Sequence, residues 1–237
     1  MKFRRLLLIV LAALLAVPGR AEVIRIEVKS RADILSGKSF GAAGAYEKLS
    51  GKIYFAVDPR NSANQIIADI VKAPKNAAGK VEFSSDFYMV KPKDLSRGNG
   101  TVLYEVSNRG NKGILGFFNL ASTNSLDPQT AADLGDGFLL EQGFALLWVG
   151  WQFDAPNRDG MVRVYVPSAR EPDGRAIQGL VRSDFSPTQK TSDVALPDAT
   201  YAVLNAKDPA NVLTVRDSVE GARRTPHAAA RSMGFHT

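Results

Sequence analysis

Apolar and charged residues alternate over Val23-Ile-Arg-Ile-Glu-Val28, the period of a half-buried strand. Lys52 to Val57 predicts a second strand, closed by Asp58-Pro59. In Gln65 to Val71 the residues Ile66, Ile67, Ile70 and Val71 fit a helix face. Their β-branching and the Pro74 stop favour a strand instead. Val81 to Val90 is strand-like and ends at Pro92; a polar loop, Lys93 to Asn99, follows. Gly100-Thr-Val-Leu-Tyr-Glu-Val106 is β-rich with one embedded carboxylate, Glu105.

The pattern then changes. Asp127-Pro128 reads as a helix N-cap followed by a first-turn proline. Asp136 caps a short predicted helix, Gly137 to Gln142, and Gly143 stands where a terminating glycine belongs. Phe144-Ala-Leu-Leu-Trp-Val149 is apolar throughout, as strands covered on both faces are. Residues 100–151 therefore predict strand, loop, helix and buried strand, one βαβ unit. Further strands are expected at Met161–Val166, Ile177–Phe185 and Val212–Arg216. After Arg224 no period remains, and the tail is expected to be disordered.

The N-terminus reads differently from the rest. Lys2, Arg4 and Arg5 precede an apolar run of twelve residues, Leu6 to Val17. Pro18 and Gly19 break it, and Gly19-Arg20-Ala21 offers small residues for a signal peptidase. Twelve residues fall short of the roughly 20 that a spanning helix needs. The expectation is a cleaved signal over residues 1–21 and an exported, periplasmic or secreted product with no stable membrane anchor. No Cys follows the apolar run, which excludes a lipid-anchored form.

The whole chain carries 30 basic and 24 acidic residues. Four of the basic ones lie in the signal, so the mature chain has 26 against 24, a net charge of +2. So small a balance gives no ground for nucleic-acid binding, which calls for a clustered basic face. The absence of Cys excludes disulfides, thiol chemistry and thiolate-bound metals. No cofactor is implied. The remaining 216 residues suit one ordinary domain.

Gly37-Lys38-Ser39 falls short of a P-loop because position 32 is Ala where the motif requires Gly. Ser107-Asn108-Arg109-Gly110-Asn111-Lys112-Gly113 follows a predicted strand and precedes a predicted helix. Such a loop turns backbone N–H groups towards developing negative charge, or is an ordinary tight turn whose glycines only permit bending. Asn108, Arg109, Gly110, Asn111 and Gly113 are accordingly the oxyanion-loop candidates. Trp148, Trp151, Phe117, Phe118, Phe144 and Phe153 supply either core packing or an aromatic platform. No G-x-S-x-G occurs, and the only histidines, His227 and His236, lie in the unpatterned tail. They show no metal-ligand spacing, so no metal site is expected. The residues alone show no catalytic nucleophile or catalytic His.

Several phrases resemble a family of secreted bacterial α/β-hydrolase domain proteins. They are Lys38-Ser-Phe-Gly-Ala-Ala-Gly-Ala-Tyr-Glu47, Val81-Glu-Phe-Ser-Ser-Asp-Phe87, Gly100 to Gly110, Gly137 to Gln152, and Asp208-Pro-Ala-Asn-Val-Leu-Thr-Val-Arg-Asp-Ser218. The resemblance implies an α/β fold. This would be a partial α/β-hydrolase-like sheet with a strand-rich N-terminal region over residues 22–224 and the catalytic half missing. It implies ester hydrolysis of a small-molecule substrate, with nucleophile and His in a later half that the text abandons at Arg223-Arg224-Thr225, as after a frameshift or early stop. On that reading the chain alone is inactive. The alternatives are a non-catalytic secreted binding module built on the aromatic cluster, and a remnant without function.

Overall fold

The computed structural model describes residues 22–189, 204, 205 and 207–224. The expected signal over residues 1–21 and the tail from Thr225, with His227 and His236, lie outside the described residues. Two compact units divide between Ile177 and Gln178.

Seven strands form the first unit: β1 (Glu22–Asp33), β2 (Ser39–Phe40), β3 (Gly44–Val57), β4 (Val81–Pro92), β5 (Val102–Glu105), β6 (Ala145–Val149) and β7 (Val164–Tyr165). Their order is β1-β3-β4-β6-β5, with β2 pairing β3 and β7 pairing β4. β3 and β4 form an unbroken antiparallel ladder from Tyr46↔Pro92 to Val57↔Val81. Beyond Pro92 the Lys93 N–H still donates to the Ala45 carbonyl at 2.9 Å. β4 pairs antiparallel with β6, and β5 pairs parallel with β6 from Val102↔Ala145 to Glu105↔Trp148. The predicted crossover after Glu105 is therefore present.

The α/β expectation is nevertheless corrected. Strands take 29% of the structure and helices 15%, in a mixed sheet, which is not an α/β-hydrolase architecture. The crossover holds three short helices, α1 (Ile114–Phe118), α2 (Ala131–Leu134) and α3 (Phe138–Glu141). Glycines with positive φ follow two of them, Gly135 after α2 and Gly143 after α3, and a third, Gly137, precedes α3. Gly135 is obligatory, since a Cβ there would stand 1.8 Å from the Asn119 carbonyl oxygen. Asn119, fully buried, ties the pieces together. It donates to the Leu134 carbonyl at 3.0 Å and accepts from the Leu139 N–H at 3.0 Å.

Residues opposite one another across a sheet share a face. Tyr46, Lys48, Tyr88, Val90, Leu103, Glu105, Leu146 and Trp148 thus share one face. Ile114, Leu115, Leu134, Leu139 and Leu140 from all three helices join Tyr46, Tyr88, Val90, Leu146 and Trp148 in the main core. Doubly wound sheets cover both faces; here Val102 and Tyr104, on the other face of β5, are exposed.

Three local expectations also change. Gln65–Val71 is not a strand: 3₁₀ turns occupy Ser62–Asn64 and Ile70–Lys72, and Ile66 is 90% exposed. Asp127-Pro128 starts no helix; Thr130 caps α2 in a capping box with Asp133. Met161–Val166 contracts to the two residues of β7, and Ile177–Phe185 forms no strand. In the second unit Val212–Arg216 contributes one bridge, Val215↔Arg224, beside an Arg224–Asp217 ion pair.

Candidate functional site

The two parallel strands end side by side, β5 at Glu105 and β6 at Val149, and their loops leave from the same end. In open sheets the crevice outside the carboxyl ends of parallel strands is where ligands bind. The loop after β5 carries every oxyanion candidate. Asn108 to Asn111 form a tight turn in which the Asn111 N–H donates to the Asn108 carbonyl at 3.2 Å. Arg109 and Gly110 both have positive φ, +53° and +80°, the backbone sign of a type I′ turn.

Five attachments hold this turn. The Arg109 N–H donates to Gln152 Oε1 at 2.6 Å, and the Arg109 guanidinium pairs with the Asp154 carboxylate and carbonyl. The Gly110 carbonyl accepts from the Val162 N–H at 3.2 Å. Trp151 Nε1 donates to the Ser107 carbonyl. Glu105, embedded in β5, accepts from the Gly113 N–H at 2.9 Å, the Ile114 N–H at 3.0 Å and Trp148 Nε1. It thereby satisfies donors at the start of α1, which no side-chain cap serves.

Among the described residues, no acceptor pairs with the N–H of Asn108, Gly110 or Lys112. The Gly113 N–H is taken by Glu105 and the Asn111 N–H by the turn itself. The candidates therefore separate. Asn108 and Gly110 retain a donor, while Arg109, Asn111 and Gly113 position the loop. Ser107 Oγ is buried with no hydrogen-bond partner among the described residues.

Lys112 lies at the centre of a polar cluster that sequence reasoning missed. The residue is 3% exposed, and its ammonium donates to the Leu126 and Gly160 carbonyls. It also stands 4.4 Å from the Tyr88 ring centroid. Asp127 continues the cluster, accepting from Lys48 Nζ at 2.7 Å and from the Tyr88 hydroxyl at 2.8 Å. Burial works to raise the Asp127 carboxyl, but the hydrogen bonds from Lys48 and Tyr88 prevail and hold it below its ordinary range. Burial pushes the Tyr88 hydroxyl up, and the Asp127 carboxylate adds to that. Burial brings the Lys112 ammonium down to about 8, against the opposing pull of Asp127 and Glu105 and with a small contribution from Lys48. Glu105 had left a trace in the sequence as the lone carboxylate of an apolar strand. Lys112 left none, because its partners come from residues 126 and 160.

This cluster carries a pH dependence with a definite sign. Between about pH 8 and the ordinary lysine value near ~10.4, the unfolded chain holds a proton on Lys112 that the folded chain has released. Stability from this group therefore rises with pH across that window. Tyr46, pushed up to about 12 by burial, acts oppositely once an unfolded tyrosine ionises above pH ~10. The urea midpoint is expected to rise from pH 8 to 9.5 relative to that of Lys112→Met. Parallel profiles for the two proteins would contradict this assignment.

The aromatic residues divide. Trp148 is fully buried and Phe144 packs against the core. Phe117, Phe118, Trp151 and Phe153 are exposed. Trp151 touches the loop at Ser107, and the Phe117 ring lies over Gly113, 3.2 Å from where a Cβ would stand. Gly37-Lys38-Ser39 spans the end of a 3₁₀ turn and the start of β2. Among the described residues no group of three His, Asp or Glu side chains is placed to hold a metal, and no helix is long and apolar enough to cross a membrane. No protein-family model, curated protein or solved structure matches the chain.

Proposed function

We propose that the chain supplies the carbonyl-polarising side of an exported ester-hydrolysing protein, with the Asn108–Gly113 loop as its oxyanion contact. The observation that carries this is the Gly110 N–H, left without an acceptor in a tightly held turn at the carboxyl ends of two parallel strands. A fixed backbone donor aimed at a forming oxyanion contributes about 10²–10³ in kcat. The phrases that resemble secreted hydrolase domain proteins support the same chemistry, and the basic and apolar order of residues 2–21 supports export.

Donors alone do not hydrolyse esters. A serine hydroxyl needs a positioned base, and the described residues contain no imidazole. Removal of nucleophile or base from a complete triad costs on the order of 10⁶ in kcat. The purified chain is therefore expected neither to turn over short aryl esters nor to bind a fluorophosphonate covalently. Stoichiometric labelling of one serine, with turnover lost on its mutation, would reveal a nucleophile and defeat this part of the reading. The donor role is tested by titrating a methyl arylphosphonate monoanion while following amide resonances. Shifts centred on Asn108, Gly110 and Lys112 are expected; unmoved resonances there would reject it.

A second reading, a non-catalytic binding module, is favoured by the exposure of Phe117 and Trp151 at the two ends of the same loop. The uncharged aryl ester in the same titration separates the two. Quenching of Trp151 without movement of the Gly110 amide belongs to the binding module.

A further inference from the structure

Among the described residues β1 is paired along one side only, to β3, so its other side presents unpaired backbone groups. Such an edge is a template for another strand. Ile24, Ile26 and Val28 along it are exposed, at 48%, 61% and 53%. Register shifts after Val23 and after Val28 bound a regular span between them. The span is Arg25 to Val28, and with the irregular Ile24, which has no partner on β3, ahead of it the segment reads Ile24-Arg25-Ile26-Glu27-Val28.

We propose that a second copy of this chain pairs antiparallel with β1 about a twofold axis through Ile26. The five residues are palindromic in polarity and complementary in charge. Laid antiparallel on itself about Ile26, the segment sets Ile24 against Val28, Arg25 against Glu27, and Ile26 against Ile26 of the partner. The Arg25–Glu27 ion pair is made twice by symmetry, as a twofold contact requires. Directly opposite side chains are the ones that stabilise or oppose a strand pair. Moving the axis one residue either way sets Arg25 against Arg25 or Glu27 against Glu27, so the charges select one register. Charges on an edge strand ordinarily repel association; here their order permits a single partner. Within one copy Arg25 and Glu27 pair with each other at 3.2 Å and both contact Tyr54. The twofold contact therefore exchanges the two intrastrand pairs, one per copy, for two across the axis; the side chains are 55% and 38% exposed. The pairing would join the two sheets into one continuous sheet.

The test is sedimentation of the whole chain over a concentration series, alongside Arg25→Glu, Glu27→Arg and the double exchange. The wild-type chain is expected to be a dimer. Each single reversal sets like charges against each other at both pairs and is expected to yield monomer. The double exchange restores the dimer, and mixing the two single variants gives a heterodimer. A monomeric wild-type chain, or a dimer indifferent to both reversals, would overturn the proposal. A second measurement does not depend on the folding of those variants. The chain has no cysteine, so Ile26→Cys places one thiol at the axis, where directly opposite Cα atoms of an antiparallel pair lie about 4.5–5.5 Å apart, within disulfide reach. Oxidation should convert it to a covalent dimer while Ser30→Cys stays monomeric. Equal cross-linking of the two, or none at Ile26→Cys, would reject the axis.

Discussion

Glu105→Ala is expected to lower stability by about 4 kcal/mol, because one carboxylate serves three donors that have no other acceptor. Trp148 Nε1 belongs to a fully buried indole, and the Gly113 and Ile114 N–H groups open α1. A buried donor stripped of its partner costs about 1–3 kcal/mol. Three such losses, partly relieved by water entering from the loop, give the figure. For a chain of this size 1 kcal/mol moves the thermal midpoint by roughly 2–4 °C, so the midpoint should fall by about 10 °C. Glu105→Gln offers one acceptor oxygen where the carboxylate offers two, and should lose about half as much. Tryptophan emission should shift to the red in Glu105→Ala as Trp148 is reached by water. A midpoint within ~2 °C of wild type would mean that the loop and α1 are held by other contacts.

The consequence extends beyond stability. Glu105 is the last residue of β5, and the same carboxylate anchors the far end of the candidate loop at Gly113. The end of the strand, the indole core and the loop are one structural unit. Perturbing any of them displaces the Asn108–Asn111 turn.

What the sequence displayed and what it withheld follow from how far each residue's partners lie. Alternation in Val23–Val28 and Val81–Val90, and the apolar run Phe144–Val149, are local signals, and strands occupy all three. The glycine stop at Gly143 is local too, with φ at +80°. Gln65–Val71 has strand composition but connects β3 to β4, neither of which has a free side for it. β3 is flanked by β1 and β4, and β4 by β3 and β6. Strand preference expresses packing on a sheet, and loses its meaning where the two strands that a segment joins have both sides taken. Only Ile70 of that segment is buried, in a small cluster with Val57, Ala73 and Val81.

Asp127 shows the reverse case. Asp before Pro is a strong local cap signal, yet Lys48 and Tyr88, 79 and 39 residues away, claim its carboxylate. A charge-assisted hydrogen bond from a mostly buried ammonium is stronger than one from a neutral backbone N–H, so tertiary structure overrides the local preference. The hydrolase-like fold class failed for a related reason. Most of the phrases it was read from lie on β2 to β6 and the crossover between β5 and β6, but the sheet's extent and the single helix-covered face depend on register, which short phrases do not encode.

Gly110 is the residue on which the functional reading and the folding argument meet. Its φ of +80° disfavours any side chain, and a Cβ would stand 2.6 Å from the Val162 carbonyl oxygen and 3.1 Å from the Val162 nitrogen. A left-handed backbone costs a non-glycine residue roughly 1–2 kcal/mol. Relieving the clash would also break the bond between the Gly110 carbonyl and the Val162 N–H. Gly110→Ala is therefore expected to lower stability by about 3 kcal/mol, and Gly110→Val by more because of its branched side chain. Loss of the phosphonate response in those variants would not distinguish an oxyanion donor from a structural turn. Gln152→Ala is the informative companion. Gln152 accepts from the Arg109 N–H at 2.6 Å from the loop after β6, so its removal loosens the turn without placing a side chain against Val162. A stability loss confined to about 1 kcal/mol, with a weakened Gly110 amide response to the phosphonate, is expected if the turn is held for ligand contact. An unchanged response in Gln152→Ala, with Gly110→Ala as stable as wild type, would show that neither the conformation of this turn nor its attachment matters to the molecule.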